Sequence, residues 1–168
     1  GGVATAIQIV GRKGSLLAGF RGGQLTLLNL SNGKTIRKFK GHTGTIRAIA
    51  IHPDGQIAAS GADDKDVRLW KLKSGAAIGA LKGHTDKILS LAFSGDGKHL
   101  LSGGADGTVR VWDVSSKTST RVFEGHRGGV VAIVMLPGKP IVFSTSNSAK
   151  DRSTIKIWNY KNGVPLGS

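Results

Sequence analysis

Short apolar runs bounded by Gly, Asp, Asn or Ser recur along the whole chain. Runs of this length, separated by turn residues, are the pattern of strands. In the second quarter of the chain they predict strands over 45–51, 56–60, 66–72 and 76–81, and in the third over 87–93, 99–102, 108–114 and 119–123. The first strand of the second set is apolar on both faces, with Ile46, Ala48, Ile49, Ala50 and Ile51, as expected of a sheet sandwiched between neighbours. The intervening stretches carry turn chemistry: His52-Pro53-Asp54-Gly55 places Pro at the second turn position, and Ser94-Gly95-Asp96-Gly97 supplies Gly. Twenty-six Gly against four Pro agree with many tight turns between short strands.

The pattern repeats. Gly-His occurs at Gly41-His42, Gly83-His84 and Gly125-His126, spaced by 42 residues each time. In phase with it, Trp70, Trp112 and Trp158 close the runs beginning at Val67, Val109 and Ile155, with spacings of 42 and 46. A period of roughly 40–45 residues with GH upstream and a WD-like pair downstream marks a four-stranded propeller blade. On these residues the chain resembles the WD40 repeat family over nearly its whole length. The closest local match runs from Ser102 through Asp106 to Trp112-Asp113.

The resemblance implies an all-β fold of four four-stranded antiparallel blades, the last incomplete, in a single unit over 1–168. The blades would span about 1–40, 41–82, 83–124 and 125–168. It also implies a hydrogen-bonded His, Ser, Asp and Trp in each regular blade: His42, Ser60, Asp64 and Trp70; His84, Ser102, Asp106 and Trp112; His126, Ser144, Asp151 and Trp158. The last set is less regular, because Ser146-Asn-Ser-Ala-Lys150 enlarges its turn. The first blade has Ala18, Gly22 and Leu28 at the matching positions. Losing every polar partner together is nearly neutral, whereas losing one strands the others.

How the blades close is open on the sequence. The chain begins near an innermost strand and stops where an outer strand has barely started, with Pro165 lacking a ladder donor. It reads either as a piece of a longer propeller or as half of an eight-bladed ring completed by a second copy. A closed ring of four blades ranks below both.

The chemistry classes are thin. One His per repeat spreads the histidines around a ring instead of gathering them as metal ligands. Asp63-Asp64-Lys65-Asp66 lacks calcium-loop spacing and reads as a tight turn. Gly103-Gly104-Ala105-Asp106-Gly107 has no following helix or Gly-Lys-[Ser/Thr], so it reads as a hairpin. No catalytic constellation, metal site or cofactor is expected. The longest apolar run, Val130 to Leu136, is far short of the roughly 20 residues of a membrane span. The chain has no Cys, which excludes disulfide stapling but does not separate cytoplasm from periplasm, and no signal-like start; a cytoplasmic location is the default expectation.

Net charge is +14, from 24 Lys and Arg against ten Asp and Glu, a bias toward acidic partners. Family geometry puts Arg12, Lys13, Lys34, Lys71, Lys73, Lys98, Lys117, Lys139 and Lys161 in the bottom loops. The top rim would hold Thr45, Arg47, Asp63, Lys87, Arg127, Lys150 and Arg152. The reading is a non-catalytic scaffold for protein–protein contacts, with self-association through open blade faces. The alternative is a module binding RNA or DNA by the basic bottom face, disfavoured because Lys outnumbers Arg and stacking aromatics are few.

Overall fold

A computed structural model describes residues 2–11, 14–148 and 155–167. Among these, sixteen strands form four antiparallel sheets, each with its strands in chain order. The first sheet holds β1 (Ala4–Val10), β2 (Ser15–Phe20), β3 (Leu25–Asn29) and β4 (Thr35–Phe39). The second holds β5 (Ile46–Ile51), β6 (Ile57–Ala62), β7 (Val67–Lys71) and β8 (Ala77–Leu81). The third holds β9 (Ile88–Phe93), β10 (His99–Gly104), β11 (Val109–Asp113) and β12 (Thr118–Phe123). The fourth holds β13 (Gly129–Met135), β14 (Ile141–Asn147), β15 (Ile155–Asn159) and β16 (Pro165–Gly167).

The inner strands β1, β5, β9 and β13 lie side by side in that order, and no packing of like extent joins β13 to β1. The sheets therefore stack through three seams. Leu17, Leu25, Leu27 and Phe39 of the first sheet meet Ile46, Ala58, Trp70 and Leu72 of the second. Ala59, Val67, Leu69 and Leu81 of the second meet Ile88, Leu100 and Trp112 of the third. Leu101, Val109, Val111 and Phe123 of the third meet Val130, Val142, Trp158 and Tyr160 of the fourth. Alternate residues of each middle strand thus serve opposite seams, as the pleat requires.

Gly sets how closely the sheets approach. A Cβ on Gly19, Gly61 or Gly103 would overlap the side chain of Ile46, Ile88 or Val130 of the next sheet. Each seam is a branched knob seated in a glycine notch. This also explains why β6 and β10 run two residues past the predicted ends at Ser60 and Ser102: the notch glycines are ladder residues, not turn residues. Arg37 and Arg121 brace the outer strands by donating to the Ser74 and Lys161 carbonyls of the following sheets, at 3.1 and 2.9 Å.

The outer strand of the fourth sheet is present, though only three residues long. Pro165 is accommodated because it opens a strand at the sheet's edge, opposite Trp158.

Candidate functional site

The second and third sheets bring their four polar residues together. Trp70 Nε1 donates to Ser60 Oγ at 2.8 Å, and Ser60 Oγ lies 2.8 Å from His42 Nε2. His42 Nδ1 lies 2.8 Å from Asp64 Oδ2. In the third sheet the same links, Trp112–Ser102, Ser102–His84 and His84–Asp106, measure 2.8, 2.7 and 2.8 Å. A carboxylate only accepts, so Nδ1 carries the ring proton. Nε2 then accepts from the Ser hydroxyl, which accepts from Trp. Each Asp also accepts the backbone amide of Thr43 or Thr85 at 2.9 Å, which pins the Gly-His loop to the β6–β7 or β10–β11 turn. Thr108 was not singled out on the sequence. Its hydroxyl donates to Asp106 at 2.8 Å, and the signal for it is a Thr two residues beyond the Asp.

In the fourth sheet Ser144 Oγ lies 2.8 Å from His126 Nε2 and accepts from Trp158 Nε1 at 2.8 Å. Asp151 lies outside the described residues, as do Arg12, Lys13, Lys150 and Arg152. In the first sheet Ala18 is buried and Leu28 partly so, and Gly22 falls in a 3-10 turn, Arg21–Gly23, with φ 79°.

Burial drives the His84 pKa down against the opposing pull of Asp106. Burial, then the Lys156 charge, does the same to His126. Burial pushes the Asp106 carboxyl up, but the Thr85 amide, Thr108 and His84 outweigh it and hold it below the usual range. Asp64 is likewise lowered: burial is outweighed by the Thr43 amide and His42. All four groups bind protons more readily unfolded than folded, so stability rises with pH through their titration. The His contribution is fully present above the ordinary 6.5 and the Asp contribution above the ordinary 3.8, and each is lost as pH falls through the folded value. Thermal melts followed by circular dichroism should therefore show Tm falling below about pH 6.5 and again below about pH 4. A Tm constant from pH 8 to 5 would contradict the histidine part.

These networks hold a charged cluster on the rim between the second and third sheets. Arg47 donates to both Asp63 oxygens, Nε at 2.8 Å and Nη2 at 2.9 Å. The Asp63 amide donates to the Thr45 carbonyl at 2.9 Å. The Arg47 bonds hold the Asp63 carboxyl below the usual range, with the Lys87 charge adding to the effect. Four predicted rim residues, Thr45, Arg47, Asp63 and Lys87, thus share one site, with the Arg47 side chain 44% exposed. Arg127 belongs to the Gly-His loop of the fourth sheet and stands apart from this cluster in the chain.

The opposite rim carries Lys34, Lys71, Lys73, Lys98, Lys117, Lys139 and Lys161. None of these is in an ion pair with a described residue. The acids there are occupied by their own turns. Asp54 accepts from the Gln56 amide and Asp96 from Ser94 and the Lys98 amide. Asp113 is held down to about 2 by the hydroxyl of Ser115 and the amide and hydroxyl of Ser116. Among the described residues no group of three His, Cys, Asp or Glu is placed to hold a metal, and no helix is long and apolar enough to cross a membrane.

Stacked four-stranded sheets tied by a repeating His-Ser-Asp-Trp network define a β-propeller repeat protein. A family model described as WD domain, G-beta repeat matches residues 33–71, 75–113 and 117–159, and the chain belongs to this WD40 family. Each matched repeat joins the outer strand of one sheet to the three inner strands of the next, so a repeat spans a seam. The chain is 36% identical over 56 residues to the human serine-threonine kinase receptor-associated protein, covering 33% of this chain and 16% of that protein. It is 40% identical over 42 residues to nuclear distribution protein PAC1 of Candida tropicalis, covering 25% and 9%. Over 42 residues it is 45% identical to small ribosomal subunit protein RACK1y of Oryza sativa, covering 25% and 12%. The matches span less than a fifth of each of these relatives.

Proposed function

We propose that the chain is a non-catalytic scaffold that binds other proteins through the rim bearing the Gly-His loops. The observation that carries this reading is the exposed Arg47–Asp63 pair with Lys87 beside it, where β5 and its neighbouring loops are tied by His42–Asp64 and His84–Asp106. Ordered charges on a rigid frame suit recognition, because little side-chain freedom remains to be lost on binding. In the second and third sheets the Ser, His and Asp that could suggest acid–base chemistry are already committed to one another. Two relatives support the reading by name, one as receptor-associated and one as a ribosomal subunit protein.

Affinity capture from cell extract tests this reading. Proteins retained by the wild-type chain should be lost from an Arg47→Glu/Lys87→Glu variant with unchanged circular dichroism. Retention of the same set would contradict it. A second reading has its own support: the seven lysines of the opposite rim form no ion pair with a described residue and outnumber Asp54, Asp96 and Asp113 there, which suits RNA or DNA. Under that reading, changing Lys71, Lys73, Lys117 and Lys161 to Glu would abolish nucleic-acid binding.

A further inference from the structure

The two outermost sheet faces are unmatched halves of the seam that occurs three times inside the chain. In register, Ala4 pairs with Phe20 as Ile46 pairs with Ala62, Ile88 with Gly104 and Val130 with Ser146. Ala4 therefore stands where the other inner strands carry a branched knob. Thr145 pairs with Ile155 as Gly19 pairs with Leu25, Gly61 with Val67 and Gly103 with Val109. It stands where the other sheets carry the glycine notch. Knob and notch have exchanged sides together: Thr plus Ala has as many side-chain heavy atoms as Gly plus Ile, the kind of volume-conserving exchange that packed interfaces tolerate.

The remaining positions keep the character of a seam. Phe143, Ile155 and Ile157 occupy the places of Leu17, Leu25 and Leu27, while Leu16, Leu28 and Leu30 occupy those of Ala58, Trp70 and Leu72. No charged side chain stands at any of these positions. Yet these sheets are the open ones: of the exposed large apolar residues, all but Val122 lie in the first or fourth sheet or their loops, including Ile9 at 61% and Ile155 at 57% exposure. Apolar faces of this kind mark association surfaces.

We infer that the free face of the fourth sheet docks on the free face of the first sheet in a second copy of this chain, with Thr145 against Ala4. The contact continues the internal seams. Within one chain β13 and β1 do not pack to the extent of the internal seams. It is head-to-tail, so two copies using both faces close a ring. Eight sheets lie within the range of about four to eight found in propellers.

Light scattering across a roughly hundredfold concentration range should give a mass reaching twice the 17.5 kDa of one chain. Thr145→Arg should leave the circular dichroism unchanged and weaken association at least about tenfold. Ala4→Ile and Thr145→Gly should each weaken it, one by collision and one by a gap. Ala4→Ile/Thr145→Gly, which recreates the internal pairing, should regain most of the loss. A 17.5 kDa particle at every concentration would overturn the inference, as would a dimer indifferent to Thr145→Arg or a double variant showing only the sum of the single losses. Ala4 is exposed on its strand, so Ala4→Ile keeps the test usable if Thr145→Arg fails to fold.

Discussion

Trp112→Ala is expected to remove about 3–5 kcal/mol of stability, the range for truncating a buried aromatic. Trp112 is 1% exposed and packs in the seam formed by Ala59, Leu69, Leu81, Ile88 and Leu100. It also supplies the N–H that Ser102 accepts. Truncation opens a cavity between two sheets and removes one link of a buried chain that also holds His84 and Asp106. A domain of this size has roughly 5–15 kcal/mol in total, so the second and third sheets should part early in a urea titration followed by circular dichroism. Leu28→Ala, at the matching position on the open face, should cost clearly less. A loss below about 1 kcal/mol for Trp112→Ala would mean that the network does not hold the seam.

Gly61→Thr is expected to be nearly as damaging, for the opposite reason. The backbone there is ordinary strand and the added Cβ runs into Ile88, so the cost is overpacking of a closed seam, about 1–3 kcal/mol or more. Adding Ile88→Ala should return stability to within roughly 1.5 kcal/mol of the wild type, because the pair then has the Thr–Ala composition of Thr145 and Ala4. If the two substitutions simply add, the knob-in-notch account of the seams fails.

The architecture was legible because His42, His84 and His126 and the three Trp residues keep a register that only a repeating sheet needs. The first sheet carries none of these signals, and its four strands follow only from extending the period to the start of the chain. The notches were hidden. Gly61 and Gly103 look like turn residues in sequence, and only the approach of Ile88 and Val130 from the next sheet shows why they belong to strands. The fourth sheet's outer strand reads as barely begun in the sequence and is three residues long in the structure, with Pro165 at its first position, where the missing N–H costs least. At the rim, the residue types were visible but their grouping was not. Arg47 and Asp63 are sixteen residues apart, and only the β5–β6 pairing brings them together.

The central claim, recognition by the Gly-His rim and not by the basic face, is tested most directly by one comparison. A protein captured by the wild-type chain would be titrated at physiological salt against the wild type, Arg47→Glu/Lys87→Glu, and the variant with Lys71, Lys73, Lys117 and Lys161 changed to Glu. The account predicts at least about a tenfold loss of affinity for the rim variant and less than about threefold for the four-lysine variant. The reverse order would contradict it and make the basic face the binding surface.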